Sequence, residues 1–300
     1  MDMIKGQEIA EGSKRVGFIG PGKVGCSLGR HIAEKGGDGF QVCGYFGRDP
    51  AATREAAAFA GGRAFDTAEG LAAECDLLLL TVPDKEIENV WASLAERLLP
   101  GRDGLLYVGH CCGSQGADTF CPKPGCHFGS MHPLIAVHDK KNSYKIFDGA
   151  YFTIEGGEDF KAFAGNLLTS LGNPFCAIEA EQKAQYHAAS VMVSNLVCAL
   201  AYTGMETFKA CGLDDGFADK AWRSLFLENA ENTASFGPVS ALTGPVERGD
   251  AATVALHLGS LSGEAREIYL LLSRTLTEIA RIKNPGRDYS DILKLLGDTK

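Results

Sequence analysis

The chain has 300 residues, of which 45% are hydrophobic and 22% are charged, and its net charge is −9. This length predicts two domains, and this composition is typical of a globular protein with enough apolar side chains for a sizeable core. Because an acidic surface repels phosphate backbones, we expect no nucleic-acid partner. The N-terminal residues lack the apolar core of a signal peptide, so we predict a cytoplasmic protein.

Up to about residue 180, apolar runs of strand length alternate with helix-length segments. The predicted elements are a strand at 15–20, a helix to about residue 35, a strand at 40–46, a helix at 51–60, a strand at 63–65 with a brief helix after it, a strand at 77–82, a helix to about residue 99, and strands at 105–108, 128–131 and 150–154. Asp49 and Pro50 mark the start of the helix at 51–60, as N-cap and first-turn proline. This alternation predicts a doubly wound, mostly parallel α/β sheet.

From about residue 181, segments of helix length dominate. The predicted helices are 181–211, 216–235, 250–259 and 262–282. We therefore predict an α/β domain at residues 1–180 and an all-α domain at residues 181–300. The apolar segment Ala188–Met205 is nearly long enough to span a bilayer, but its polar side chains are costly in lipid. We predict that it is a buried helix of the core or of a dimer interface, and that the chain has no membrane span.

A glycine-rich loop follows the first predicted strand. Gly20 to Gly25 have the spacing G-x-G-x-x-G, and a helix follows directly. In a dinucleotide-binding Rossmann domain, the three glycines permit a tight turn, a close approach to pyrophosphate and close helix packing. The helix N-terminus adds N–H donors for the phosphates. The predicted cofactor-binding residues here are Gly20, Pro21, Gly22, Lys23, Val24 and Gly25, with Val82 and Pro83 at a neighbouring strand end.

The end of the second strand predicts the cofactor. An NAD site usually has an acidic residue there to bind the ribose hydroxyls. This chain has Arg48 instead, and a guanidinium suits a 2′-phosphate. Asp49 follows, but as an N-cap it already has a structural role. We therefore predict NADP, with NAD as the alternative.

Residues 110–133 contain four cysteines and three histidines. Zinc sites built from cysteine usually contain two pairs of closely spaced ligands. Cys111 and Cys112 are adjacent, and only Cys121 and Cys126 have a spacing of that kind. Ten cysteines in a chain without a signal peptide indicate reduced thiols. We predict a reduced loop without a metal, with a zinc or iron–sulfur site as the alternative, and we leave its redox role open.

Two histidines are candidates for proton transfer beside a nicotinamide cofactor, because imidazole titrates near neutral pH. His187 lies near the start of the helix predicted at 181–211, with Ser190 on the same face and Asn195 beside it. His132 lies at a strand end that borders the predicted cleft. The structural alternatives are a capping or packed histidine for His187 and a turn histidine for His132.

The segment 242–250 joins two predicted helices. Thr243 offers a hydroxyl, and Arg248 could bind a substrate carboxylate with two hydrogen bonds. The structural alternative is that Arg248 and Asp250 cap neighbouring helices.

Several motifs in order resemble the Rossmann-like proteins that carry a DUF2520 C-terminal domain. They are VGFIGPGKVG, TVPD, GSMHPL, YHAASVMVSN and ALTGPVERGD, from about Arg15 to Ile282. That family is similar to pyrroline-5-carboxylate reductases, ketopantoate reductases and 3-hydroxyacid dehydrogenases, which implies a helical domain that forms a homodimer. In the last two groups, the first long helix carries a catalytic lysine and, four residues later, an asparagine. His187 and Val191 occupy what look like these positions, so the resemblance does not predict a lysine as proton donor.

The expected function is an NADP-dependent oxidoreductase that reduces a small carboxylated 2-keto acid, with ketopantoate first. The expected proton donor is His187, Asn195 and His132 would polarise or orient the substrate, and Arg248 would anchor its carboxylate. Ser190 and Thr243 complete the predicted substrate site. Two alternatives stay open: an imine reductase of the pyrroline-5-carboxylate reductase type, and a non-catalytic NADP-binding redox sensor.

Overall fold

A computed structural model describes residues 12–98 and 104–297 of the chain. The N-terminal residues used in the argument about a signal peptide, and the predicted helix end near residue 99, lie partly outside these ranges. The contacts divide the chain into two compact units, one up to Val193 and one from Ser194 onward. This division comes after the helix Lys183–Met192, whereas the predicted domain boundary, between residues 180 and 181, comes before it.

The first unit is an α/β unit. In chain order it contains β1 (Lys14–Ile19), α1 (Lys23–Lys35), β2 (Phe40–Phe46), α2 (Pro50–Ala60), β3 (Arg63–Ala64), α3 (Ala68–Glu74), β4 (Leu77–Leu80), α4 (Ile87–Arg97), β5 (Leu106–His110), β6 (Cys126–Pro133), β7 (Phe152–Gly156), α5 (Glu158–Leu171), β8 (Phe175–Ala177) and α6 (Lys183–Met192). The N-cap predicted for α2 is confirmed, since the Asp49 side chain accepts a hydrogen bond from the Ala51 N–H.

The eight strands form one sheet in the order β3-β2-β1-β4-β5-β6-β7-β8. All neighbouring strands are parallel except β6 and β7, which are antiparallel. This confirms the predicted doubly wound, mostly parallel sheet. All four leucines of β4 are buried, as expected of a strand covered on both faces. The carboxyl ends of β1, β4, β5 and β6 lie at one edge of the sheet, where such folds bind ligands.

The sequence analysis missed two elements of this unit, α5 and β8. The apolar side chains of α5 recur at helical spacing and are buried, among them Phe160, Phe163 and Leu167. This periodicity was a usable signal. The strand β8 has three residues, all exposed, and carries no comparable pattern.

The second unit is helical. It contains α7 (Asn195–Ala210), α8 (Asp215–Ala241), α9 (Pro245–Arg248), α10 (Ala251–Ser260), α11 (Gly263–Lys283) and α12 (Ser290–Leu295). The single helix predicted at 181–211 is wrong, because non-helical backbone at Val193 and Ser194 separates α6 from α7. The helix α8 is longer than predicted and bends at Gly237, whose φ is +78° and which precedes Pro238.

The apolar segment around α7 is not buried within the chain. Leu196 and Leu200 are 52% and 47% exposed, and α7 has no buried residue. A core position for this segment is therefore wrong, and the dimer-interface alternative stays a prediction. By length and composition alone, residues 180–210 could cross a membrane, and none of the apolar window is buried.

Candidate active site

The glycine loop between β1 and α1 needs two of its glycines for steric reasons. Gly20 has a φ of +105°, and a Cβ there would lie 2.7 Å from the carbonyl oxygen of Thr81. A Cβ on Gly25 would lie 2.6 Å from the carbonyl oxygen of Gly20 and would also collide with the Thr81 hydroxyl. That hydroxyl donates a hydrogen bond to the Gly20 carbonyl at 2.8 Å. Thr81 follows β4 directly and therefore ties the glycine loop to the end of that strand. The sequence analysis did not single out this residue.

The first turn of α1 can accept an anion. Its N-cap, Gly22, has no side chain to cap the helix, and the first turn contains no acidic residue. Helical N–H groups without partners bind phosphate well. A Cβ on Gly22 would have only the Thr81 carbonyl nearby, at 3.6 Å, so the loop is open on this side. Lys23 and Val24 form the start of α1.

A cleft of about 390 Å³ lies beside this loop. Of the predicted cofactor residues, Gly20, Pro21, Gly22, Arg48, Val82 and Pro83 line it. The carboxylate of Asp49 is used as the N-cap of α2, whereas Arg48 is exposed. The loop, the uncapped helix and this guanidinium therefore fit a dinucleotide with a 2′-phosphate.

A second group of side chains gathers beyond the ends of β5 and β6. The rings of His132 on β6 and His187 on α6 meet edge to face, with centroids 5.8 Å apart and planes at 79°. Gly113, in the loop after β5, lies against both. A Cβ there would be 2.9 Å from Nε2 of His132 and would collide with the ring of His187. The structure thus brings together the two histidines that the sequence predicted separately.

Tyr186 is the hydrogen-bond partner of His132. Its hydroxyl lies 2.8 Å from Nδ1 of the imidazole. Burial, assisted by the nearby His187 and Lys183, lowers the pKa of His132 to about 4. Burial also raises the pKa of Tyr186, so its hydroxyl stays protonated at neutral pH. At neutral pH His132 is therefore an uncharged hydrogen-bonding group.

The sequence analysis also missed Lys183, which is 1% exposed. Its Nζ donates to the Ser130 hydroxyl at 2.7 Å and to the Cys112 carbonyl at 3.3 Å. Burial lowers the pKa of Lys183, and the charge of Glu155 opposes that effect. Lys183 lies four residues before His187 and therefore on the same face of the helix, and this spacing could have indicated that the two side chains are neighbours.

Ser190 lies on the next turn of α6 after Tyr186 and His187. Its hydroxyl donates to the Tyr186 carbonyl at 3.1 Å. The side chain is half-buried. Its predicted substrate role stays a prediction.

The cysteines of residues 110–133 take different positions. Cys112 is buried, Cys111 and Cys126 are half-buried, and Cys121 is exposed. Burial raises the pKa of Cys111 to about 12, so this thiol is protonated at neutral pH. Within residues 12–98 and 104–297, no group of three or more His, Cys, Asp or Glu side chains has an arrangement that could hold a metal ion.

The other predicted substrate residues belong to the second unit. Asn195 is the first residue of α7, and its Oδ1 accepts a hydrogen bond from Ser194. Thr243 precedes α9 and Arg248 ends it, and all three predicted side chains are exposed. The expectation that Asn195 lies on one helix with His187 is wrong because of the break at Val193 and Ser194. The capping alternative holds for Asp250, whose carboxylate accepts the Thr253 N–H.

Two family models match the chain. Residues 15–102 match the model described as NADP oxidoreductase coenzyme F420-dependent. Residues 150–276 match DUF2520, a domain of unknown function, which confirms the predicted resemblance. None of the curated proteins compared with the chain matches it.

Several solved structures share the fold. A Thermotoga maritima protein matches with a TM-score of 0.69 and 23% identity, over 89% of this chain and 99% of that one. A Bacteroides fragilis protein described as an NADP oxidoreductase matches with a TM-score of 0.65 and 21% identity, over 89% and 98%. A pyrroline-5-carboxylate reductase from Coxiella burnetii matches with a TM-score of 0.59 and 15% identity, over 90% and 98%. At such identities the matches establish the shared fold alone.

Proposed function

We propose that this NADP-dependent oxidoreductase, which joins an NADP oxidoreductase domain to a DUF2520 domain, reduces a small carboxylated 2-keto acid, with ketopantoate as the first candidate. The observation that carries the proposal is the pair of His132 and His187 beside Gly113. Both histidines lie at the ligand-binding edge of the sheet, along which the glycine loop also lies.

The first unit has the groups that such a cofactor needs. NADPH, when bound, supplies the hydride. The N–H groups at the start of α1 would hold its pyrophosphate, and Arg48 would pair with its 2′-phosphate. Val82 and Pro83 would line the cleft beside it. These assignments leave the histidine pair free for the substrate.

The histidines would divide the proton chemistry between them. When a hydride adds to the carbonyl carbon, the oxygen becomes an alkoxide and takes up one proton. His187 would donate that proton, and solvent would return it to the imidazole. His132 is neutral at neutral pH, so it would orient the substrate oxygen by a hydrogen bond. We further propose that Asn195 polarises the carbonyl, that Arg248 anchors the carboxylate, and that Ser190 and Thr243 contact the substrate.

Imine reduction is the second candidate. The observation that favours it is the low pKa of His132, about 4, because a histidine that is neutral at neutral pH cannot itself supply a proton. An imine that arrives protonated needs no such donor. A His187→Asn variant would therefore keep its activity on a cyclic imine and lose it on a keto acid.

The test is NADPH oxidation with a panel of 2-keto acids, including ketopantoate, and of cyclic imines. We expect turnover of a keto acid, and His187→Ala should lower kcat by about 100-fold or more without changing NADPH binding. His138→Ala, which changes an exposed histidine, is the matched control. Full turnover by His187→Ala would show that His187 is not the proton donor. Tight NADPH binding with no turnover on either panel would favour the non-catalytic sensor.

We also propose that the protein works in the cytoplasm as a homodimer. All ten cysteines are free thiols, which suits a reducing compartment. The exposed apolar side chains of α7 suit a self-association surface. We propose neither a nucleic-acid partner nor a membrane partner.

A further inference from the structure

Lys183 is a buried cation next to the histidine pair. Its side chain is 1% exposed, and taking an ammonium group out of water is costly unless it is compensated. Its Nζ has two short contacts, with the Ser130 hydroxyl at 2.7 Å and the Cys112 carbonyl at 3.3 Å. Both acceptors are themselves buried. The ammonium of Lys183 therefore links two buried groups of the protein.

The compensating carboxylate is reached through Ser130. The Ser130 hydroxyl donates to Oε2 of Glu155 at 3.0 Å. Glu155 is 4% exposed and accepts the Ala117 N–H with both oxygens, at 3.0 and 3.1 Å. An ammonium, a hydroxyl and a carboxylate thus form one buried chain. It connects α6 with β6, β7 and the loop after β5.

Each contact of Lys183 lies close in sequence to a part of the histidine pair. Lys183 precedes His187 by one helical turn on α6. Ser130 precedes His132 by two residues on β6, so both side chains are on the same face of the strand. Cys112 is followed by Gly113, on which both rings lie. A shift of the ammonium would therefore displace all three components.

Lys183 is 1% exposed, and its Nζ is bonded to the Ser130 hydroxyl and the Cys112 carbonyl, so its contacts are with the protein itself. We propose that Lys183 is a positioning residue, which through Ser130 and Cys112 holds His132 and His187 against Gly113 and keeps a positive charge behind them. This inference rests on the proposed reductase function for its kinetic consequences. Its structural consequences are independent of the substrate.

The positive charge of Lys183 also acts on His132. Burial is the main cause of the low pKa of His132, and the charges of His187 and Lys183 lower it further. Asp84 acts in the opposite direction, and His110 in the same direction. The Tyr186 hydroxyl is a further titratable group in contact with the ring. Removing the Lys183 charge should therefore raise the pKa of His132.

The experiment compares wild-type protein with Lys183→Met in the full chain. The pH titration of the histidine ring signals, followed by NMR, gives the midpoint of His132, and NADPH fluorescence gives cofactor affinity. We expect Lys183→Met to bind NADPH normally, to raise the His132 midpoint by roughly half a pH unit, and to lower kcat about tenfold or more. Lys35→Met removes a surface lysine of the same unit and should change none of these quantities.

Ser130→Ala keeps the buried charge but removes the hydroxyl that anchors it. We expect a cooperative melting curve with a lowered midpoint, altered His132 and His187 ring signals, and a kcat lowered at least severalfold. A folded Lys183→Met with wild-type midpoint and kcat would overturn the inference. If Lys183→Met does not fold, unchanged ring signals and kcat in Ser130→Ala would overturn it. If no substrate of the panel is turned over, the proposed function fails, while the ring signals still decide the role of Lys183.

Discussion

The hydroxyl of Tyr186 lies 2.8 Å from Nδ1 of His132, and the two rings meet edge to face with centroids 5.6 Å apart. The second unit contains the same arrangement between Tyr269 and His257, with the same distance and the same 89° between the ring planes. The two pairs differ in their surroundings, because His132 alone also meets His187. The second pair therefore serves as an internal control for the first.

Tyr186→Phe should lower kcat on the active substrate about three- to tenfold, because it removes the hydroxyl that orients His132. The substitution retains the aromatic ring of residue 186. NADPH affinity should stay unchanged. Steady-state kinetics on a keto acid, with NADPH fluorescence titration, measures both quantities. Tyr269→Phe removes the equivalent hydroxyl in the second unit and should leave kcat within twofold. Equal losses in the two variants would argue against a role for the His132 pair.

His110 should make the stability of the protein depend on pH in the acid range. It is fully buried, and burial lowers its pKa from 6.5 to about 4. Between these pH values the unfolded chain binds a proton that the folded chain does not, so stability is full above about pH 6.5 and falls as the pH falls towards about 4. His110→Gln should reduce that loss by about 2 kcal/mol, measured by urea unfolding at both ends of the range. His138→Gln, which changes an exposed histidine, is the matched control.

Gly25→Ala should destabilise the protein by about 1–3 kcal/mol and weaken NADPH binding, because the new Cβ meets the Gly20 carbonyl at 2.6 Å. Backbone atoms cannot rotate away as a side chain does. Gly157→Ala is the control, since nothing lies within 4 Å of a Cβ there and its φ is −64°. That variant should stay within about 0.5 kcal/mol of wild type in urea unfolding. Equal stability of the two variants would contradict the close packing of α1 against Thr81.

Arg48→Ala should change cofactor preference. The loss of a charged hydrogen-bond donor should weaken NADPH binding about tenfold or more and leave NADH binding nearly unchanged, because NADH lacks the 2′-phosphate. Fluorescence titration with both cofactors measures the ratio. Arg54→Ala removes an exposed arginine of α2 that does not line the cleft and should leave the ratio unchanged. If Arg48→Ala weakened both cofactors equally, the guanidinium would have no role in selecting the phosphate.

Leu200→Glu should convert the proposed homodimer into a monomer. Leu196 and Leu200 are large exposed apolar residues one turn apart on α7, and a buried carboxylate at this position would oppose association. Sedimentation velocity distinguishes the two states. Tyr151→Glu changes a residue of the first unit that is 65% exposed and should leave the dimer intact. A wild-type monomer at micromolar concentration would contradict the proposal.

Much of the first unit was predictable because its signals are local. The strands β1, β2 and β4, the glycine loop and the N-cap of α2 are encoded in runs of a few neighbouring residues. The predicted NADP cofactor and the oxidoreductase class are confirmed by the match of residues 15–102. Local patterns were less decisive at α6 and α7, where the break at Val193 lies inside a continuous apolar segment.

The sequence by itself determined the doubly wound sheet, the dinucleotide loop and the candidate histidines, because hydrophobic period and glycine spacing are properties of consecutive residues. The tertiary structure decided which of these side chains meet. Lys183 and Ser130 are 53 residues apart and share a hydrogen bond, and Tyr186 reaches His132 across 54 residues. Such contacts depend on the order of strands in the sheet and on where α6 packs, which no local pattern encodes. The surroundings of the site, including the buried charge behind it, therefore became visible only in the folded chain.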